Sequence, residues 1–328
     1  MKIEDLIAGG KVTGSVATKL MASGMNVNCL RTNATLLKDE WKQIDAAVLQ
    51  AARQRFVGVA DLQKRGLVHR FPNGLGKTVL EYQDMSELSA AEISMDGVTV
   101  GKNDRNEFEL KYLPLPIIHK EFQLGIRALT ASRQGLMPLD TTNAEQCARK
   151  CAEKVEQLLF NGSGNFAYGG GTIYGYCDAP NRNIGDLMGK WDDSSVDGED
   201  ILEDVRKMKQ DFINALHYGP WILYIPTEYE TKLDEDFKAN SDKTIRQRIL
   251  KIAGIEDVRV ADYLTAGNVV LVQMTTDVVR LVEGLPITNI EWQTQGNMMF
   301  HFKVMTIQVG QVRADQNGKS GVVHYSEP

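Results

Sequence analysis

Between Gly66 and Pro116 the chain alternates with period two: in EFELKYL, Phe108, Leu110 and Tyr112 alternate with Glu107, Glu109 and Lys111. Such alternation predicts half-buried antiparallel strands with one wet face. TVLEY and ISMDGVTV repeat it, and Asp96-Gly97 and Gly101 to Asp104 supply turn chemistry inside a polar stretch from Ser86 to Arg105. The pattern describes a long two-stranded ribbon with a polar tip. A ribbon of that kind is marginal alone in water, so it is expected to pack on another molecule.

Elsewhere the apolar period is helical. Leu37, Trp41, Ile44, Val48, Ala51 and Ala52 predict an amphipathic helix over residues 36–55. The clearest helix is TTNAEQCARKCAEKVEQLLFNG, with Ala144, Cys147, Ala148, Cys151, Val155, Leu158 and Leu159 on one stripe and Glu145, Arg149 and Glu153 on the other side. Thr142 and Glu145 have the spacing of a capping box, and Gly162 is the stop. A further helix carries Ile201, Val205, Met208, Phe212, Ala215 and Leu216 in register and is ended by Gly219-Pro220. WILYI reads as a buried strand, Thr227 to Glu230 as a capping box for a helix through Phe237, and TIRQRILKIAG as a short helix. NVVLVQM and DVVRLV read as strands. In MFHFKVMTIQV the apolar phase moves from Phe300, Phe302 and Val304 to Ile307 and Val309, which predicts a bulge. Residues 1–35, rich in Gly, Ala, Ser and Thr, read as an extended arm, and WDDSSVDGED reads as an acidic linker with Asp192 and Asp193 solvated.

Composition narrows the function classes. The 328 residues suffice for two domains or one large one, and 43% hydrophobic with 24% charged residues is ordinary globular usage. No apolar run approaches the roughly 18–20 residues of a spanning helix, so no membrane partner is expected. The polar start MKIEDLIAGGK lacks the apolar stretch of a secretory signal, which points to folding in a cytoplasm. Acidic residues outnumber basic ones, 43 to 37, and the cations form no block. Specific nucleic-acid binding is therefore not expected. Four cysteines are too few and too irregularly spaced for a disulfide framework.

Gly74-Leu-Gly76-Lys77-Thr78 resembles the end of a phosphate loop, but that loop needs a glycine where Phe71 stands, and Pro72 removes one of the required amides. TVLEY then continues as a strand, whereas a phosphate loop opens a helix. The reading is a structural turn built from Pro72, Asn73, Gly74 and Gly76. Cys147 and Cys151, at i,i+4, are two soft ligands without partners at a metal-site spacing, and small core residues otherwise. Gly169 to Gly171 reads as a flexible turn or an anion nest. The five histidines are scattered singly, and no nucleophile signature is present. No catalytic, cofactor or metal residue is assigned. One covalent possibility lies at the ribbon tip, where the amine of Lys102 or the amide of Asn103 could crosslink to a neighbouring subunit if a carboxylate removed the proton.

The order of parts resembles the major capsid proteins of tailed bacteriophages, whose fold also builds encapsulin compartments. The local sequences LPLPIIHKEFQLGIRAL, TTNAEQCARKCAEKVEQLLFNG with its LxFNG-like ending, and NMMFHFKVMTIQV carry the resemblance, which spans most of residues 36–312. It implies an α+β capsid fold with an N-terminal arm and docked helix (1–65), an extended β-ribbon loop (66–111), a peripheral domain with a spine helix (112–174), an axial α/β domain (175–284) and a return to the peripheral domain with a C-terminal tail (285–328). It implies assembly contacts at the loop tip, Met95, Asp96, Gly97, Lys102, Asn103 and Asp104, and at an axis-facing loop, Lys238, Ala239, Asn240, Ser241, Asp242 and Lys243. The partners implied are copies of the chain, in hexamers and pentamers that close an icosahedral shell in the virion, assembled in the host bacterial cytoplasm around packaged dsDNA that is not specifically bound. A portal and a decoration protein belong to the same picture. Residues 1–65 are too short and glycine-rich for a built-in scaffolding segment, so a separate scaffolding protein is expected. An encapsulin-type shell around a cargo enzyme is the alternative; the arm and projecting loop favour the phage shell.

Overall fold

The computed structural model describes residues 38–53, 56–85, 93, 95, 105, 108–127, 141–164, 166–238, 242–294, 299–314 and 320–327. They form two compact units, between which the chain passes several times.

Unit 1 draws on described residues up to Val79, from Pro114 to Phe160 and from Arg280 to Gly310. It contains helices α1 (Lys38–Arg53) and α2 (Gly58–Lys64), strands β1 (Val68–Arg70) and β4 (Ile118–Gly125), and the spine helix α3 (Thr142–Asn161). Two long strands, β11 (Val279–Thr294) and β12 (Met299–Val312), complete a four-stranded sheet of order β1-β11-β12-β4. The predicted stripe of α3 is buried in full, with Ala148 at 0% exposure, and Ala152 beside it is buried too. Its small residues let the helix lie close on Ile287, Phe300, Phe302 and Val304 of the sheet and on Ile44, Val48 and Ala51 of α1. Cys147 and Cys151 belong to this core, and burial pushes the Cys151 thiol up to about 12.

Two details of unit 1 correct the expectations. The helix α3 begins at Thr142, so the expected cap residue is already inside it; Thr141 stands before the first turn, and its hydroxyl donates to the Glu145 carboxylate at 2.9 Å. The apolar phase shift in β12 is not a bulge against β4, because the pairing runs unbroken from Met299 opposite Gly125 to Thr306 opposite Ile118. From Val304 to Gln311 the strand is instead buried on both faces, so apolar residues are needed at both parities.

Unit 2 draws on Leu80–Leu113, Asn161–Val279 and the described residues from Gln311. A short hairpin joins β5 (Ala167–Tyr168) to β6 (Gly171–Thr172). The main sheet contains β7 (Asn183–Asp186), β8 (Trp221–Ile225), β9 (Ile255–Val260), β10 (Asn268–Gln273) and β13 (Val322–Ser326), in the order β7-β13-β10-β8-β9. Helix α4 (Gly198–Asn214) lays Ile201, Val205, Met208 and Phe212 into a core with Trp221, Leu223 and Val323, and Phe212 stacks on Trp221 at 5.5 Å. Residues 285–328 thus do not travel together: β12 lies in unit 1 as far as Gly310, while β13 pairs with β10 and β7 inside the unit 2 sheet.

In the stretch read as an acidic linker, Asp192 and Asp193 are exposed as expected, but Trp191, Val196 and Gly198 are buried. Trp191 is fully buried, its Nε1 donates to Asp204 at 3.0 Å, and Asp197 forms a capping box with Asp200 at the start of α4. Leu216, expected on the buried face of α4, lies beyond its end with φ 62 and is exposed. The helix expected through Phe237 is a 3-10 turn, Thr227–Tyr229, followed by α5 (Glu230–Leu233), and no side chain caps it. Its acidic residues serve elsewhere: Glu228 accepts from the Gly267 amide at 2.6 Å, and Glu230 accepts from Arg246 of α6 (Ile245–Ile249) at 2.5 Å. Gly169 and Gly170, with φ 59 and 81, are the two central residues of the β5–β6 hairpin turn. Positive φ at both positions is what a tight primed turn requires.

Candidate assembly surface

The ribbon begins at a turn built in unit 1. β1 runs parallel to β11 with His69 opposite Val282, and the chain then reverses through Asn73, which takes the left-handed conformation with φ 59. Gly74–Gly76 form a single 3-10 turn, closed by the Gly76 amide donating to the Asn73 carbonyl at 2.9 Å. Gly74 is buried against the backbone of Gly284, and Phe71 closes over Gly284 from the side. Pro72 is exposed. Lys77, the would-be phosphate lysine, places its ammonium 5.4 Å above the Phe71 ring. Backbone packing thus accounts for Gly74, and a cation–π contact engages Lys77 beside it.

Beyond the turn, β2 (Val79–Met85) and β3 (Phe108–Pro114) pair as a separate two-stranded sheet. Burial along β3 rises from Phe108 to Pro114, so the strand is rooted at Leu113 and open at its far end. The expected assignment of faces is corrected. Phe108 and Leu110 are 61% and 45% exposed, whereas Lys111 is drawn inward to Asp84, Nζ to Oδ2 2.6 Å. The Asp84 side chain is only 4% exposed, and a buried carboxylate needs a cation more than a ribbon needs strict alternation. Burial opposes the Lys111 charge, but hydrogen bonding and attraction from Asp84, with Glu109 beyond it, hold its pKa above the usual lysine value. Burial, then the Asp84 charge, also pushes the Tyr82 hydroxyl up. Around this pair lies an open cavity of about 310 Å³, whose walls include Tyr82, Tyr112, Tyr174 and Pro180.

Toward the tip, Ile93 and Met95 are described and fully exposed, at 99% and 103%. Asp96, Gly97, Lys102, Asn103 and Asp104 lie outside the described residues, as do most of ISMDGVTV and the arm at 1–35. Met95, Phe108 and Leu110 are each exposed where they are described, and most residues between Met95 and the strands lie outside the described residues.

The second expected contact, the loop after α5, is anchored at both ends. The Phe237 amide donates to the Lys243 carbonyl at 2.9 Å, and Asp236 bridges Thr244, whose hydroxyl then caps α6 by accepting from the Gln247 amide. Arg248 and Lys238 lie 4.9 and 5.8 Å from the Phe237 ring, and Lys238 pairs with Glu199 at 2.5 Å. Lys243 stands beside Lys251 and lowers its pKa. Asp242 is described and exposed, whereas Ala239, Asn240 and Ser241 lie outside the described residues. Two cations at the base of this loop, Arg248 and Lys238, thus face one aromatic ring.

Of the buried polar residues, Glu156 was not singled out in the sequence, and His324, one of the five scattered histidines expected at the surface or at caps, is buried instead at 8% exposure. Glu156 sits on the apolar stripe of α3, one residue after Val155, and a carboxylate in that phase is the signal that would have found it. His324 interrupts the apolar strand VVHYS; its Nδ1 accepts from Arg182 Nε at 3.2 Å, so its Nε2 carries the proton and donates to Asn268 at 2.7 Å. Among the described residues no group of three or more His, Cys, Asp and Glu is placed to hold a metal ion, and no helix is long and apolar enough to cross a membrane.

The family model that matches residues 31–325 is that of a family of unknown function, DUF6260. The type 1 encapsulin shell protein EncA of Myxococcus xanthus (strain DK1622) is 26% identical over 219 residues, 65% of this chain and 69% of EncA. Among solved structures, the virus-like particle from Pyrococcus furiosus superposes with a TM-score of 0.63 at 20% identity, covering 87% of this chain and 99% of that one. The capsid of Myoviridae phage XM1 gives a TM-score of 0.61 at 12% identity, covering 83% and 93%. The fold is the α+β fold of the Hong-Kong-97-type phage capsids, found also in encapsulin-like particles.

Proposed function

We propose that this chain, which belongs to the family of unknown function DUF6260, is a structural subunit that assembles with copies of itself into a closed shell. The observation that carries this reading is the ribbon: a two-stranded sheet rooted at Leu113, with Phe108 and Leu110 in solvent. Exposed apolar side chains on so thin an element mark a surface that another molecule covers. A ribbon reaching from one subunit onto a different surface of the next makes a head-to-tail contact, which closes into rings. The fold shared with capsid and virus-like-particle subunits supports a copy of the same chain as that molecule. The test is sedimentation and negative-stain microscopy of the purified full chain, alone and with neighbouring gene products. Closed particles are expected, and a discrete 36.5 kDa species under every condition overturns the reading.

In its finer form the proposal is a tailed-phage major capsid protein. Hexamers and pentamers would enclose packaged dsDNA without binding it specifically, in a virion assembled in the bacterial cytoplasm with a separate scaffolding protein, a portal and a decoration protein. The net charge of −6 supports a container that does not adsorb its nucleic acid. Residues 112–174 and 175–284 would serve as peripheral and axial domains, with the cationic loop from Lys238 to Lys243 facing the symmetry axis. The resemblance to EncA favours a second reading, a compartment around a cargo protein. The contents of particles from the native source separate the two, DNA supporting the first and a co-purifying protein the second. Neither form asks the chain for a catalytic step.

A further inference from the structure

The cavity beside the Asp84–Lys111 pair takes its walls from several parts of unit 2: the ribbon strands β2 and β3, the β5–β6 hairpin, residues 179–181, and the end of β12 with Ala314 and Ser320 beyond it. Tyr82, Tyr112 and Tyr174 bring three aromatic rings to it, while Gly170 and Gly171 line it without side chains. At about 310 Å³ it stands at the small end of ligand-binding cavities, roughly 300–1,000 Å³, which suits one long side chain better than an element of structure. The charged groups described on its walls do not balance. The Lys111 ammonium lies 2.6 Å from Asp84 and 3.6 Å from Glu109, so one cation serves two carboxylates. Asp84 is the buried one of the two, whereas Glu109 is 61% exposed and turns to solvent. Arg313 acts on Tyr82 more weakly than Asp84 and Lys111 do, and it is not among the described wall residues.

We propose that this cavity is a socket for a cationic side chain, arginine or lysine, carried by a second copy of the chain. A tyrosine ring attracts a cation over its face, the more so where water is displaced. Glu109 adds a carboxylate at the open side, which Lys111 serves only at 3.6 Å. A guanidinium suits both, since it stacks flat on a ring while its edge donates to a carboxylate. Continuity with the ribbon names the second copy. Leu110 is a wall of the cavity and also one of the exposed apolar residues of β3, and Tyr174 of the same cavity is 41% exposed. A molecule that covers the ribbon therefore covers the cavity mouth as well. In naming a copy of the chain the inference rests on the shell reading, to which it adds register: apolar side chains alone tolerate many apolar surfaces, whereas a copy fills the socket only when its cation is in place.

The test places the photocrosslinker p-benzoylphenylalanine at position 174 of the full chain, irradiates free subunits and assembled particles, and identifies the joined peptides by mass spectrometry. The expected result is a chain-to-chain crosslink present only in particles, with an arginine or lysine at or beside the point of attachment. Particles that lack this crosslink, or that carry it to a segment without a cation, overturn the socket and leave the shell reading standing. A chain that forms no particles under any condition overturns both. Should the bulky group itself block assembly, Glu109→Gln and Tyr174→Leu decide, because both positions are exposed in the free subunit. Each should raise the subunit concentration needed for particles by at least about twofold, the lower end expected for one exposed cation contact. Assembly unchanged in both variants overturns the proposal.

Discussion

Gly74 packs on Gly284 backbone to backbone, so closely that a Cβ on Gly74 would overlap the Gly284 carbonyl. Two residues later, Gly76 has nothing within 4 Å of where its Cβ would lie, and its φ is not positive. The two glycines of one motif should therefore respond differently. Gly74→Ala forces β11 and the ribbon root apart and should cost about 1–3 kcal/mol, the usual range for overpacking. Gly76→Ala should leave stability unchanged or raise it by about 0.4–1 kcal/mol through the unfolded chain. Urea unfolding of the two variants checks both.

Phe108 and Leu110 separate assembly from folding. Both are already in solvent in the subunit, so replacing them by serine removes little buried area and should change stability by no more than about 0.5 kcal/mol. If a second copy covers them, the double variant loses area at that contact instead. The expected outcome is a normally folded subunit whose particle fraction in sedimentation collapses. Undiminished particle yield would remove the ribbon from the contact.

Asp84 and Lys111 predict the opposite behaviour. Lys111→Met removes the ammonium 2.6 Å from a carboxylate that is 4% exposed and should cost on the order of 2–3 kcal/mol. Lys303→Met breaks an ion pair with Glu121 whose side chains are 30% and 50% exposed, and should cost under about 1 kcal/mol. Thermal unfolding of the two variants, at low and high salt, distinguishes them: only the second pair should weaken strongly with salt.

What the sequence showed, and what it hid, divides along the range of the forces. The stripe of α3 and the buried strand WILYI were legible because period and composition are local, and the core face of α4 was legible up to Phe212. The turn at Asn73 was legible because Pro, Asn and Gly restrict the backbone where they stand. Trp191, Glu156 and Lys111 were misplaced or missed, each for a partner distant in sequence or hidden by its neighbours. Trp191 answers to Asp204, Glu156 to amides 97 or more residues away, and Lys111 to Asp84 across the ribbon. A charged residue in an apolar phase signals that such a partner exists without naming it. The ribbon shows the same limit at the level of function: alternation predicted the strands, but which face would be left uncovered depended on one buried carboxylate.

His324 gives the unit 2 sheet a dependence on acid. Burial, reinforced by the Arg182 charge, lowers its pKa from 6.5 to about 4. The unfolded chain thus takes up a proton near pH 6.5 that the folded sheet refuses until about pH 4. Protons bound are more numerous in the unfolded state throughout that window, so stability rises with pH across it. The contribution is complete above 6.5 and lost as pH falls toward 4, by about 2–3 kcal/mol once partial solvent screening is allowed for. His324→Gln keeps a neutral polar side chain between Arg182 and Asn268 and should flatten the pH dependence of urea unfolding between pH 7 and 4.5. Exchange of the β13 amides should show the same loss in the wild type, because this strand lies between β10 and β7 and is held at His324 by both neighbours. A wild-type sheet equally protected at pH 4.5 and pH 7 would place the acid sensitivity of the chain elsewhere.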